Sequence, residues 1–89
     1  MLSFITIQEV KDDLGAWCKW MRKSRKLTQK ELAKELALSH LTISKLENGE
    51  NPTIETLLKV LQYFNEMEAF HQFIKKRTEL VSTNESMYK

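Results

Sequence analysis

The sequence predicts an all-α fold of five helices, and three observations carry that prediction. Glycine and proline together supply only three of the 89 residues and β-branched runs are short, so little interrupts helical structure. Residues able to cap a helix N-terminus, Thr6, Thr28, Ser39 and Thr53, stand directly before four amphipathic stretches. Within those stretches apolar residues recur every three or four positions, the period of a helix laid on a core.

Thr6-Ile7-Gln8-Glu9 is a capping box, so a first helix starts near Ile7. Ile7, Val10, Leu14, Trp17, Cys18 and Met21 keep one face apolar and carry it to about Arg25. Gly15 lies inside that stripe and weakens the helix, which predicts a kink or a start delayed to near Asp12. Thr28 with Glu31 forms a second capping box, and Leu32 and Leu36 give the buried stripe of helix 2. Ser39 caps helix 3, whose buried residues are Ile43 and Leu46, and Gly49 ends it in the left-handed conformation. Glu50-Asn51-Pro52 is a loop, and Thr53 caps helix 4, with Ile54, Leu57, Leu58, Leu61 and Phe64 facing inward. Asn65 caps helix 5, about residues 66–77, where Met67, Phe70, Phe73 and Ile74 share a side and Lys75-Lys76-Arg77 complement the C-terminal dipole. Residues 1–77 thus form one domain around the motif core 28–49, followed by a polar, aperiodic tail over 78–89 that is expected to fray. The apolar segment Met1 to Ile5 reads as a loose tail, a core cover or an added strand.

Composition excludes several classes. The lone Cys18 rules out an intramolecular disulfide and fits a reducing compartment. No apolar run is long enough for a bilayer, so a cytoplasmic protein without membrane contact is expected. No nucleophile–base pairing, metal-ligand spacing or glycine-rich phosphate loop is present, which argues against an enzyme and against a cofactor or metal. The net charge of +2 is small, but its distribution is uneven. Lys19 to Lys45 holds eight Lys/Arg against Glu31 and Glu35, a local balance of +6, whereas the flanking segments are each −2. Positive field concentrated on one motif is what phosphate contacts require.

Helices 2 and 3 are joined too tightly to lie antiparallel and must cross steeply, the geometry of a helix-turn-helix that reads DNA. The exposed face of helix 3 then carries His40, Leu41, Ser44 and Lys45. From Leu14 to Phe64 the chain resembles the Cro/repressor-like, or XRE-type, helix-turn-helix regulators. The residues that carry the resemblance are Arg22, Leu27-Thr28-Gln29, Glu31-Leu32-Ala33, Ser39, Ile43-Ser44, Leu46-Glu47-Asn48-Gly49, Pro52-Thr53 and Leu57-Leu58. The resemblance implies a compact five-helix bundle of the lambda-repressor-like type, with helix 2 across the DNA backbone and helix 3, about 40–48, in the major groove.

By that resemblance Gln29 is a phosphate clamp at the start of helix 2, with Thr28, Thr42 and Asn48 also placed at the backbone. His40, Leu41, Ser44 and Lys45 match base-facing positions: Lys45 suits guanine O6/N7, and Leu41 suits only a thymine methyl. Arg22 and Glu47 match a pair that bridges helix 1 to the recognition helix. Two positions depart from the family pattern. Lys26 and Ala37 stand where many members have glycine, so the turn after Leu36 is expected to continue more helically than in relatives.

The resemblance further implies a two-fold homodimer on a palindromic operator, with half-sites about one helical turn apart. Helix 5, through Met67, Phe70, Phe73 and Ile74, is the expected dimer or partner surface. The functional expectation is a transcriptional repressor of its own operon, such as the antitoxin of a toxin–antitoxin pair that binds a cognate toxin. The alternatives are a phage-type repressor without a toxin, or a protein-interaction module that keeps the fold.

Overall fold

The computed structural model describes residues 4–83, with side chains through Glu79. It contains five helices: α1 (Ile7–Ser24), α2 (Gln29–Glu35), α3 (His40–Glu47), α4 (Ile54–Tyr63) and α5 (Met67–Thr83), and no strand occurs among the described residues. The four expected N-caps all form. Thr6, Thr28, Ser39 and Thr53 each accept a backbone N–H three residues on, and the capping boxes of α1 and α2 close in both directions. Each such cap contributes on the order of 1 kcal/mol.

The core is built from Cys18 and Met21 of α1, Leu32 and Ala33 of α2, Ile43 and Leu46 of α3, and Leu57, Val60, Leu61 and Phe64 from α4 and its C-cap. The central helix is α3, which packs against α1, α2 and α4, while α5 reaches the bundle chiefly through α4. A fully buried Leu or Ile contributes roughly 1.5–3 kcal/mol, so Leu32, Ile43, Leu46 and Leu61 set the frame in which α3 is held.

The first four helices end alike. After α1, Lys26 N–H donates to Lys23 O and Leu27 N–H to Arg22 O; after α2, Ala37 to Lys34 and Leu38 to Ala33. After α3, Gly49 donates to Leu46 and Glu50 to Lys45; after α4, Asn65 to Gln62 and Glu66 to Leu61. Each pair of bonds closes a Schellman motif and needs one residue at positive φ. That residue is Lys26 (58°), Ala37 (56°), Gly49 (73°) or Asn65 (62°). The turn after Leu36 is therefore left-handed rather than a continued helix, contrary to expectation. A non-glycine residue there costs roughly 1–2 kcal/mol, which two backbone bonds and the half-buried Leu38 offset.

Further expectations are corrected. Asn65 does not cap α5; it closes α4, because asparagine suits a left-handed C-terminal position as well as an N-cap. Gly15 neither kinks α1 nor delays its start, since the helix is continuous from Ile7. The N-terminal half of α1 does not turn its apolar stripe inward. Gln8, Lys11, Asp12 and Gly15 face the α3 end and the loop after it, leaving Ile7 and Val10 exposed. Ile54, the first residue of α4, is also exposed rather than buried.

α5 outlasts its expected end and runs through Thr83. Basic residues favour a helix C-terminus without enforcing one, and neither glycine nor asparagine follows Arg77 before position 84. Residues 1–3 of the apolar N-terminal segment and 84–89 of the tail lie outside the described residues.

Candidate nucleic-acid interface

Two contacts fix the position of α3 against α1. At the crossing, Gly15 is buried, and a Cβ there would stand 2.5 Å from Glu47 O and 2.6 Å from Leu46 O, too close for any other residue. Sequence reasoning missed this role. The available signal was a glycine inside a buried helical stripe, in register with Cys18.

The second contact is the ion pair expected between Arg22 and Glu47. Arg22 Nε donates to Glu47 Oε2 at 2.6 Å and Nη2 to Oε1 at 2.9 Å, while Nη1 donates to Leu27 O at 2.7 Å. Both side chains are buried. A bidentate pair satisfies its members in a way a monodentate one cannot. The carboxylate hydrogen bond holds the Arg22 proton more tightly than water would, a shift partly opposed by burial. Burial, aided by the nearby Glu47 charge, pushes the Cys18 thiol up to about 12, so it packs as a small neutral hydrophobe.

Beyond Glu47 the network continues outward. Gln29 Nε2 donates to Glu47 Oε1 at 2.9 Å, and Gln29 Oε1 lies 2.9 Å from His40 Nε2. Four residues singled out from the sequence, Arg22, Glu47, Gln29 and His40, are thus joined in one chain from the core to the surface. The second N–H of the Gln29 amide remains free to donate. Thr28 uses its hydroxyl oxygen and backbone N–H in the α2 capping box, and Thr42 Oγ1 pairs with Ser39 Oγ at 2.8 Å. Asn48 is exposed at the C-cap of α3.

The outer face of α3 carries exposed His40, Leu41 and Lys45 with half-buried Ser44. Leu41 is 61 % exposed, so it is not a core residue. Lys23 and Lys26 at the end of α1, Lys30 and Lys34 of α2, and Lys45 of α3 are exposed, and none forms an ion pair among the described residues. Loop 48–53 is tied back to α1 by Gln8 Nε2 donating to Gly49 O at 3.0 Å and by Lys11 Nζ donating to Asn51 Oδ1. Glycine suits position 49 by its positive φ, and a Cβ there would displace the Asp12 carboxylate. The arrangement is a helix held from behind that presents the unpaired Lys45 and the apolar Leu41, on a segment rich in exposed lysine. It suits a polyanion with readable edges.

At the opposite end, Ile54, Leu58, Met67, Phe70, His71 and Ile74 line an open apolar groove of about 640 Å³ between α4 and α5. Phe73 and Ile74 are exposed, whereas Met67 and Phe70 are half-buried. The four residues expected to form a partner surface therefore divide between the bundle and solvent. No cluster of three metal-ligating side chains occurs among the described residues, and no described helix is long and apolar enough to cross a membrane.

A helix-turn-helix family model matches residues 19–68, more than half of the 89-residue chain. The matched segment begins within α1, includes all of α2, α3 and α4, and ends in the first turn of α5. No curated protein and no solved structure matches the chain.

Proposed function

The chain belongs to the Cro/repressor-like, XRE-type helix-turn-helix family of DNA-binding regulators, and from that premise we propose that it is a dimeric repressor of its own operon. The observation that carries this reading is the outer face of α3, where His40, Leu41 and Lys45 stand exposed on a helix locked from behind by Gly15 and the Arg22–Glu47 pair. Lys45 donates to guanine, Leu41 meets a thymine methyl, and His40 and Ser44 read neighbouring base edges in the major groove. Gln29, Thr28, Thr42 and Asn48 contact phosphates, and the free Gln29 N–H supplies the clamp.

The exposed side of α5 seats a second copy of the chain, which places two α3 helices on a palindrome. A second reading draws on the same groove. Its apolar lining and the exposed Phe73 also suit a cognate toxin, which would make the protein the antitoxin of its operon.

The test is selection of bound sequences from a random duplex library, followed by titration of the selected duplex. Lys45→Ala is expected to relax preference at one base pair, a loss of about 1–3 kcal/mol of discrimination. Gln29→Ala is expected to weaken binding to all sequences through loss of the phosphate contact, with any change of preference confined to the base pair that His40 faces. Wild-type selection without an enriched sequence would overturn the reading. Phe73→Glu is expected to yield monomers in sedimentation velocity; a surviving dimer would move the interface off α5.

A further inference from the structure

We infer that the buried Arg22–Glu47 pair, relayed through Gln29, fixes which hydrogen-bonding atom His40 offers to DNA and makes the base preference of that residue switch with pH. The inference rests on the proposal that α3 reads base edges, and it assigns His40 a specific chemistry within that surface.

The polarity of the chain is forced one residue at a time. Arg22 has only donors and saturates the inner side of the Glu47 carboxylate with two hydrogen bonds. Glu47 has only acceptors, so its Oε1 must receive an N–H from Gln29, which sets the Gln29 amide with nitrogen toward Glu47. The Gln29 oxygen then faces His40 Nε2 at 2.9 Å and can only accept. His40 Nε2 must carry a proton. In the neutral ring the other nitrogen, Nδ1, is a bare acceptor, and it makes no hydrogen bond within the described residues.

Neutral His40 therefore offers DNA an acceptor. Its complements in the major groove are the amino groups of cytosine N4 and adenine N6. Protonation adds a hydrogen at Nδ1 and leaves Nε2 donating to Gln29 as before. No hydrogen bond within the protein has to break, yet the free ring nitrogen changes from acceptor to donor, and its strongest complement becomes guanine O6/N7. Histidine is the side chain suited to such a change between pH 5 and 8.

The charged groups on the helices that carry the ring and its partner are Lys45 and Glu47 of α3 and Lys30, Glu31, Lys34 and Glu35 of α2, with Arg22 of α1 behind Glu47. None lies within ion-pair distance of the ring. The ring is linked through Gln29 to the Glu47 carboxylate, which Arg22 pairs. Lysine and arginine can only donate, and the Ser44 hydroxyl donates or accepts at any pH, so His40 is the residue on this face whose polarity is set by protonation.

The experiment has two arms. Long-range ¹H–¹⁵N spectra of the imidazoles, recorded from pH 5 to 8 on the free wild-type protein, read the His40 nitrogens directly. Nε2–H with a bare Nδ1 is expected at pH 8, with an Nε2 proton slow enough in exchange to be seen, and Gln29→Ala is expected to abolish that slow exchange. An Nδ1–H tautomer would overturn the inference whatever the DNA result. In the second arm, selection from a random duplex library is run at pH 8 and pH 5 in the same salt. One position is expected to prefer cytosine or adenine at pH 8 and guanine at pH 5, each by roughly 2- to 10-fold. His40→Ala is expected to bind without that preference at either pH. Enriched sequences that do not change although the spectra show His40 titrated would overturn this inference alone. Absence of enrichment at both pH values would overturn the DNA-reading premise and the inference together.

Discussion

The two ends of this molecule are made from similar residues and finished differently. Around α3, every apolar side chain on the inner face is buried, the two buried charges pair with each other through two hydrogen bonds, and the glycine at the crossing admits a backbone and nothing more. Around α5 no described side chain is fully buried, and its apolar residues border an open groove. The contrast separates two uses of hydrophobic periodicity. On α3 it orients a helix whose other face is exposed; on α5 it leaves an apolar face open among the described residues.

Substitutions around α3 should therefore cost far more than substitutions on α5, and the largest effect is expected at the buried pair. Glu47→Ala leaves Arg22 buried without its carboxylate and should destabilise by about 3–5 kcal/mol in urea unfolding. The double variant Arg22→Met, Glu47→Leu should recover much of that stability and lose the Gln29–His40 relay. A double variant as unstable as Glu47→Ala would show that the pair adds more than mutual neutralisation. Gly15→Ala drives a methyl into the Glu47 and Leu46 carbonyls and should cost about 1–3 kcal/mol, because backbone must shift to admit it. Near-wild-type melting of Gly15→Ala would mean that α1 and α3 approach less closely than described.

Cys18 extends the comparison to pH. Its thiol is raised from 9.0 to about 12 in the folded chain, first by burial and then by Glu47. The folded state holds its proton where the unfolded state gives it up. This contribution is complete below pH 9 and is lost as pH rises toward 12, at about 1.4 kcal/mol per pH unit. Melting curves should fall over that window in wild type and fall less in Cys18→Ala. A smaller effect, of opposite sign, is expected at Ala37. Its φ of 56° suits glycine, so Ala37→Gly should stabilise by up to about 1 kcal/mol after allowing for the greater entropy of the unfolded glycine. Phe73→Ser, on the exposed side of α5, should change monomer stability by no more than about 0.5 kcal/mol.

The same contrast explains what was legible in the sequence. Thr6, Thr28, Ser39 and Thr53 marked four helix starts correctly because an N-cap is a local device, complete within four residues. The inner face of α3 and the Arg22–Glu47 pair were legible from Ile43, Leu46 and the family resemblance. Asn65 was misread because its side chain serves two opposite ends of a helix, and the choice depends on whether α4 has finished. Gly15 was misread because its cost to α1 is local, while its benefit comes from a carbonyl 32 residues away, at Glu47. Ile7, Val10 and Ile54 were placed inside by periodicity, which shows that a face is apolar and not that anything covers it. The link from Glu47 through Gln29 to His40 depends on three side-chain directions and could not be read from spacing.

The difference between the two ends is tested most directly by titrating the ¹⁵N-labelled protein with its selected duplex and following backbone amides. Chemical-shift changes should concentrate on residues 28–31 and 40–48, with the exposed side of α5 unchanged. Changes centred on α5, with the α3 amides unmoved, would contradict the assignment of α3 as the DNA-reading element.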